Sequence, residues 1–343
     1  MTNTHTLTST IDRPVGTFDG SGAEQPLETR VSVLSFTARI SGNCAAVLRD
    51  LSLLYPSRET NSFPTPGTLA APFAVVEDNR DGGAPFYRLY EDGIEVSVVA
   101  SPEYAIAQLE MLINAAALAS FTDYLMIHAG VVAIPTGAIM IPAASGAGKS
   151  TLVAALSLSG FDYLSDEVAV LEPRSLAALP FLKAICLKDG GWEKLTASYD
   201  APASLVHAAR TGGESLHYVA APHHLASDSR ARVRYILLPF RRTGARATLT
   251  PFSRAVALAE LARNSLNLPR HGTAGIEALA QVVEQAECYA LTYEDLRDAV
   301  AVISDLVGRG PAVPPAPTTT RFPVGAGRRT RPPAPTRLGV ART

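Results

Sequence analysis

The chain has little cysteine: three in 343 residues, at positions 44, 186 and 288. The number is odd and the spacing wide, so neither a disulfide frame nor a metal knuckle is expected. Cys44, Cys186 and Cys288 read instead as buried thiols of a reducing compartment, which makes a cytoplasmic protein the expectation. The N-terminus lacks a basic start followed by an apolar run, so no signal peptide is expected. Long apolar runs are missing as well. The most apolar stretch, residues 106–121, is broken by Gln108, Glu110 and Asn114, too short and too polar to cross a membrane. Nor does charge of one sign prevail. A net charge of -2 points to no nucleic-acid or membrane partner. It does hide an asymmetry: residues 308–343 carry seven Arg, no Lys and no acid, which leaves -9 on the rest by subtraction. Four of the seven histidines, His207, His217, His223 and His224, fall within residues 196–230, at spacings that match no metal pattern.

What is present is apolar material, 47% of the chain, enough for one large domain or two modest ones. Residues 1–28 are rich in Thr, Ser, Gly and Asp without periodicity and read as a disordered leader. Residues 29–100 read as a small α+β lobe. A strand lies near Val31–Phe36, a short helix over 44–51, and strands over 73–76, 86–90 and 94–99, with turns at Asp81-Gly82-Gly83 and Glu91-Asp92-Gly93. Ser101-Pro102-Glu103 is a helix start: an N-cap hydroxyl, a proline in the first turn and an acid at the positive end of the dipole. That helix, over residues 101–121, reads as a buried connector.

A larger unit follows, residues 101–307, α/β with a mixed sheet. Two apolar runs, 125–134 and 138–141, flank Pro135-Thr136-Gly137 and form a hairpin. The second run enters Ala143-Ala144-Ser145-Gly146-Ala147-Gly148-Lys149-Ser150-Thr151, and a helical segment, Leu152–Leu156, leaves it. Strand, Gly-rich turn, Lys-Ser and helix make the layout of a phosphate-binding loop. Small residues let successive N–H groups turn inward around an anion, and the helix aims its positive end at the same place. Ser145, Gly146, Ala147, Gly148, Lys149, Ser150 and Thr151 are thus the candidate nucleotide-binding residues. Lys149 reaches the outer phosphates, and the Ser150 hydroxyl is a magnesium ligand. The full pattern asks for Gly at 143, where this chain has Ala.

About 15 residues after the loop, Tyr163–Leu171 reads as one apolar strand carrying Asp166 and Glu167. Carboxylates buried without partners are costly, and a magnesium-nucleotide complex would compensate them. The stretch from Pro180 to Lys194 carries Lys183 and Lys188; Lys188 is within reach of a phosphate, though a solvated lysine is the commoner reading. Residues 196–230 read as a flexible insertion. Runs 233–239 and 247–250 read as a hairpin around Thr243-Gly244, followed by a Ser253-capped helix and a polar turn, Asn267–Gly272, whose Arg270 and His271 are candidates for the acceptor side. A helix over 274–283, a strand at Cys288–Leu291 and a helix over 293–307 complete the unit. Residues 308–343, rich in Pro and Arg, read as a disordered tail.

Three features stand in order: Ile127-His128-Ala129-Gly130-Val131, the loop, and Ser165-Asp166-Glu167. The series resembles the catalytic domain of HPr kinase/phosphorylase and its shorter bacterial relatives. It resembles ATP-dependent phosphoenolpyruvate carboxykinase more distantly, through Ser145-Gly146-Ala147-Gly148-Lys149-Ser150. The resemblance is specific over 125–171 and looser over 232–306. It implies the P-loop fold of those families and an ATP- and Mg2+-dependent serine kinase acting on a peptide or protein. Asp166 would be general base, His128 would lie near the transferring phosphate, and Ser150 with Glu167 would hold magnesium. The family's Asp-Asp pair is here Asp-Glu, and its Arg-Gly segment for the reverse reaction is absent, which implies kinase activity alone. The family tends to form oligomers, so a homo-oligomer is a further expectation. A small-molecule hydroxyl kinase and a non-catalytic ATP sensor or assembly protein are the alternatives.

Overall fold

The computed structural model describes residues 26–55, 70–79, 84–200, 204–209, 214–220 and 229–308. Most of the leader, the turn Asp81–Gly83, His223, His224 and the Arg-rich tail from 309 lie outside them. The first part of the chain contains β1 (Leu27–Val33), β2 (Phe36–Gly42), α1 (Ala45–Leu53), β3 (Ala70–Asp78), β4 (Phe86–Glu91) and β5 (Ile94–Val99), then the long helix α2 (Pro102–Ser120). The central part holds β6 (Leu125–Ile134), β7 (Gly137–Pro142), α3 (Lys149–Leu158), β8 (Asp162–Ser165), β9 (Val168–Leu171) and β10 (Ala177–Leu179). It continues with β11 (Ile185–Lys188), α4 (Asp189–Ser198), β12 (Val206–Ala209), β13 (Ser215–Val219), β14 (Ala231–Arg241) and β15 (Thr248–Pro251). The last elements are α5 (Arg254–Asn264), α6 (Leu268–Gln285), β16 (Glu287–Tyr293) and α7 (Leu296–Gly308). The fold is mixed α/β, with three sheets and seven helices among the described residues.

The first sheet runs β1-β2-β3-β4-β5, with only β2–β3 parallel, and α1 and α2 pack against it around Ile40, Leu51, Leu89 and Leu109. Where the sequence suggests one strand near Val31–Phe36, the chain makes two, turning at Leu34, whose φ is 50°. Ser101 caps α2 as its position predicts, accepting a hydrogen bond from the Tyr104 N–H at 3.3 Å.

The large sheet is built on the hairpin of β6 and β7, antiparallel from Ala129↔Pro142 to Ile134↔Gly137. On its other side β7 pairs in parallel with β14, and β14 with β16. Strand β10 pairs with both β9 and β14, so the sheet closes on itself there. Side chains alternate in burial direction along the hairpin. Val131, Ala133, Ala138 and Met140 join the core with α5 and α6, while Val132, Ile134, Ile139 and Ile141 join the core with α3 and α7. A period of two with both faces apolar is what a strand covered by helices on each side requires.

Helix α3 lies close on β6. A Cβ on Gly130 would stand 2.5 Å from Val153 Cγ2, inside a fully buried layer. Val153 is β-branched and stiff in a helix. Gly130→Ala is therefore expected to destabilise the fold by about 1–3 kcal/mol through overpacking, measurable as a lower midpoint in denaturant unfolding with an unchanged slope. An unchanged midpoint would show that α3 can move off the sheet freely.

Four further expectations need correction. The apolar run 163–171 is two strands, β8 and β9, not one. Both pair with β6, but Val131 sits opposite Ser165 and His128 opposite Val168, so Asp166 and Glu167 fill a break in the ladder. The Ser165 hydroxyl holds that break by accepting from the N–H groups of Glu167 and Val168 at 3.2 and 3.0 Å. The runs before and after Thr243-Gly244 are not paired with each other. Strand β16 lies between them, parallel to β14 and antiparallel to β15, because a later strand competes successfully for the β14 edge. Residues 196–230 are not a bare insertion: β12 and β13 join β11 in a third sheet, held by ordinary antiparallel ladders. The polar turn at Asn267–Gly272 is mostly helical, lying in α6 with a kink at Gly272.

Candidate active site

The Gly-rich turn stands where β7 ends and α3 begins. Gly146 and Gly148 have φ of 82° and 87°, a left-handed conformation that favours glycine. Residue 143 needs no such conformation, since the non-glycine residues with positive φ are Leu34, Asp92 and Leu176 among those described. Alanine at that position costs the turn no backbone strain. Ala144, Ser145 and Gly146 are exposed, Gly148 is the N-cap of α3, and Lys149 is buried. The first N–H groups of a helix have no partner within it, so this end of α3 presents donors and a positive dipole to the exposed turn. A Cβ on Gly146 would meet nothing within 4 Å, so the space beside the turn is open.

Lys149 folds back under the turn. Its Nζ donates to the carbonyls of Ala143 and Ala144 at 2.8 and 3.1 Å and lies 3.0 Å from His128 Nε2. The β6–β7 pairing explains this contact: Ala129 opposes Pro142, so His128 stands beside the start of the turn. Burial lowers the Lys149 pKa, while the Asp166 and Glu167 carboxylates act against it. His128 is lowered too, first by burial and then by the Lys149 ammonium. A neutral imidazole is thus favoured, able to accept from Lys149.

Asp166 is buried. One of its oxygens accepts from the Tyr163 hydroxyl at 2.9 Å and the other from the Cys186 N–H at 3.3 Å. An ionised carboxylate offers about four lone-pair positions, so two bonds orient Asp166 without exhausting it. Glu167 is the open member of the pair, with 45% of its side chain exposed. Its pKa is lowered chiefly by Lys183, against the effect of burial. Thr151 is buried and faces α4, because a Cβ on Gly191 would stand 2.7 Å from its hydroxyl. The structure therefore brings His128, Lys149, Asp166 and Glu167 together around the turn.

Two residues of this cluster carry no motif. Lys183, 2% exposed in its side chain, sits 3.0 Å from Glu110, 3.3 Å from Glu167 and 4.0 Å from Asp166. Burial by itself would lower its pKa, yet the three carboxylates outweigh burial and hold it well above the usual range. The Glu110 pKa is raised by burial, partly offset by Lys183. A signal for both was available: Lys183 is the one charge in the apolar run Ala177–Ile185, and Glu110 interrupts an apolar helix. Such residues are buried only when paired. Lys188, by contrast, is exposed and bound to Glu214 at 2.9 Å. His271 lies on α6, with Nε2 near the Tyr124 carbonyl at 3.1 Å, and so helps fix that helix beside β6.

The residues fit a magnesium-bound polyphosphate in charge and donor type. Among the described residues no three His, Cys, Asp or Glu side chains are grouped to hold a metal by themselves. Magnesium suits such a place, since it is commonly held by one or two protein oxygens, substrate phosphates and water. A separate cleft of about 510 Å3 lies at the far end of the hairpin, lined by Ile134, Pro135, Gly137, Gly160, Asp162 and Arg230. It borders the C-terminal end of α3, away from the donors and the acid pair.

No family model matches this chain, and no curated protein matches it. Among solved structures it is similar to the HPr(Ser) kinase/phosphatase from Coxiella burnetii, at 12% sequence identity and a TM-score of 0.26, over 54% of this chain and 88% of that one. A likeness of that size carries no argument. No helix among the described residues is long and apolar enough to cross a membrane.

Proposed function

We propose that this chain is an ATP- and magnesium-dependent kinase of the P-loop type, transferring the γ-phosphate to a hydroxyl group, with serine of a peptide or protein as the acceptor class. The observation that carries the reading is the meeting of two features from different strands. The Gly-rich start of α3 with its buried Lys149 supplies donors for phosphate oxygens, and the break between β8 and β9 sets Asp166 and Glu167 beside them. A Gly-rich helix start by itself caps a helix; an acid pair by itself closes a strand. Together they supply what phosphoryl transfer requires, which is placement and charge neutralisation rather than covalent help.

Lys149 and the N–H groups of the turn hold and orient the phosphates. Ser150 and Glu167 are the residues that would hold magnesium, which when bound neutralises charge developing on the phosphate oxygens. Asp166, oriented by Tyr163 and Cys186, takes the proton of the acceptor hydroxyl. His128, with its pKa lowered and its ring bonded to Lys149, is assigned the role of a neutral group near the transferring phosphate. The exposure of Glu167 favours a second assignment, in which Glu167 is the base.

Radiolabelled ATP offered with serine-containing peptides, and in parallel with a panel of hydroxylated metabolites, tests the reading. Asp166→Asn is expected to lower transfer by about 10²–10⁴-fold while nucleotide binding persists. Transfer kept by Asp166→Asn and lost in Glu167→Gln would move the base to Glu167. Label on metabolites alone would make the protein a small-molecule kinase. Tight ATP binding without transfer to any acceptor would make it a sensor or assembly protein.

A further inference from the structure

The acid pair is not held by its own strands alone. Lys183 belongs to the segment between β10 and β11, which is buried throughout and pinned at two points. The Phe181 N–H donates to the Leu164 carbonyl on β8 at 2.8 Å, and the Ala184 N–H to the Leu54 carbonyl after α1 at 2.6 Å. The ammonium therefore has a fixed root between the first lobe and the acid pair. From it a chain of bonds runs back into that lobe. Glu110 on α2 lies 3.0 Å from Lys183, Asn114 donates to the same Glu110 oxygen, and the Tyr55 hydroxyl donates to Asn114 at 3.3 Å. Going forward, Lys183 lies 3.3 Å from Glu167, the member of the acid pair whose side chain is open to solvent.

We propose that Lys183 is a positioning residue for Glu167, and that Glu110 sets where Lys183 stands, so that α2 and the end of α1 belong to the working site. The inference rests on the magnesium-nucleotide reading above. Its physical content is a shared ammonium. Were Lys183 bound to Glu167 alone, the ion pair would compete with magnesium for that carboxylate. Glu110 divides the ammonium's hydrogen bonds, which leaves Glu167 aligned by Lys183 but not captured by it. Groups behind a metal ligand tune its affinity through such orientation, typically by about 10–100-fold.

The full-length protein is titrated with Mg2+ in the presence of a fluorescent ATP analogue, and the Mg2+ concentration at half-maximal binding is compared among variants. Glu110→Gln keeps the size of the side chain and removes its charge. Glu110→Asp keeps the charge and withdraws it by one carbon. Both are expected to raise the half-saturating Mg2+ by about tenfold or more, with binding of the analogue in EDTA unchanged. Lys183→Arg, which keeps charge but replaces a compact ammonium by a planar fork, is expected to do the same. Thermal unfolding of each variant is recorded alongside. A wild-type Mg2+ requirement in Glu110→Asp with a shift in Glu110→Gln would overturn positioning in favour of charge alone. Lower unfolding temperatures with no change in Mg2+ requirement would overturn it in favour of a purely structural role. Failure of the wild-type protein to bind the analogue would instead remove the nucleotide reading, and this inference with it.

Discussion

Lys149→Ala is expected to abolish measurable nucleotide binding while leaving the fold intact. The ammonium donates to the carbonyls of Ala143 and Ala144 and lies against His128, so it is held under the turn before any phosphate arrives. Hydrogen bonds to charged groups are worth about 1.5–3 kcal/mol each. With all three of its donors engaged beforehand, Lys149 exchanges two of these bonds for two to charged phosphate oxygens, which accounts for roughly a hundredfold in affinity. Removing it costs the apo fold less, because burial already disfavours the charge, as its lowered pKa shows. Calorimetric titration of ATP and Mg2+ against wild type and variant measures the first effect, and denaturant unfolding the second. Unchanged affinity would remove the phosphate-binding role of the turn altogether.

The second large effect concerns stability. Lys183→Met is expected to destabilise the protein by about 3–5 kcal/mol, since it leaves buried carboxylates without their counter-charge. Glu110 and Asp166 have side chains only 10% and 2% exposed, so water cannot replace the ammonium. The deficit should depend on pH. Glu110 already titrates above its usual range because it is buried, and losing Lys183 raises it further. A carboxyl raised in the folded state binds more protons folded than unfolded, so stability falls as pH rises from about 4.5, the unfolded value, through the folded pKa. The loss should therefore be larger at pH 8 than at pH 5. Adding Glu110→Leu, which removes one stranded carboxylate, should restore part of the stability. A variant as stable as wild type at pH 8 would show that the three carboxylates do not rely on Lys183.

What could be read from residues in order was local. The cap at Ser101, the hairpin at Pro135–Gly137 and the Gly-rich start of α3 each depend on a few neighbouring residues, and each is found where the pattern places it. Glycine and proline act through their own dihedral limits, and an N-cap through a hydroxyl three residues away. The two apolar runs that become β6 and β7 were legible for the same reason. The approach of His128 to the turn was half legible: the hairpin register implies it, but the contact with Lys149 depends on a buried side-chain path.

The rest depended on strands and helices far apart in sequence. No property of residues 233–250 shows that β16, some forty residues later, will separate β14 from β15. No property of Tyr163–Leu171 shows a break at Asp166, because the break is imposed by the register of β6 opposite it. Lys183 and Glu110 are 73 positions apart. Each taken singly is an ordinary charge, and only the packing of α2 against the segment after β10 turns them into a buried pair. A Gly-rich helix start with a lysine after an apolar hairpin could be read off the chain directly, since those features are encoded by adjacent residues. Which carboxylate is buried, which stays open to solvent and which distant ammonium restrains them depended on the packed chain, since burial and charge pairing exist only once the chain has closed around them.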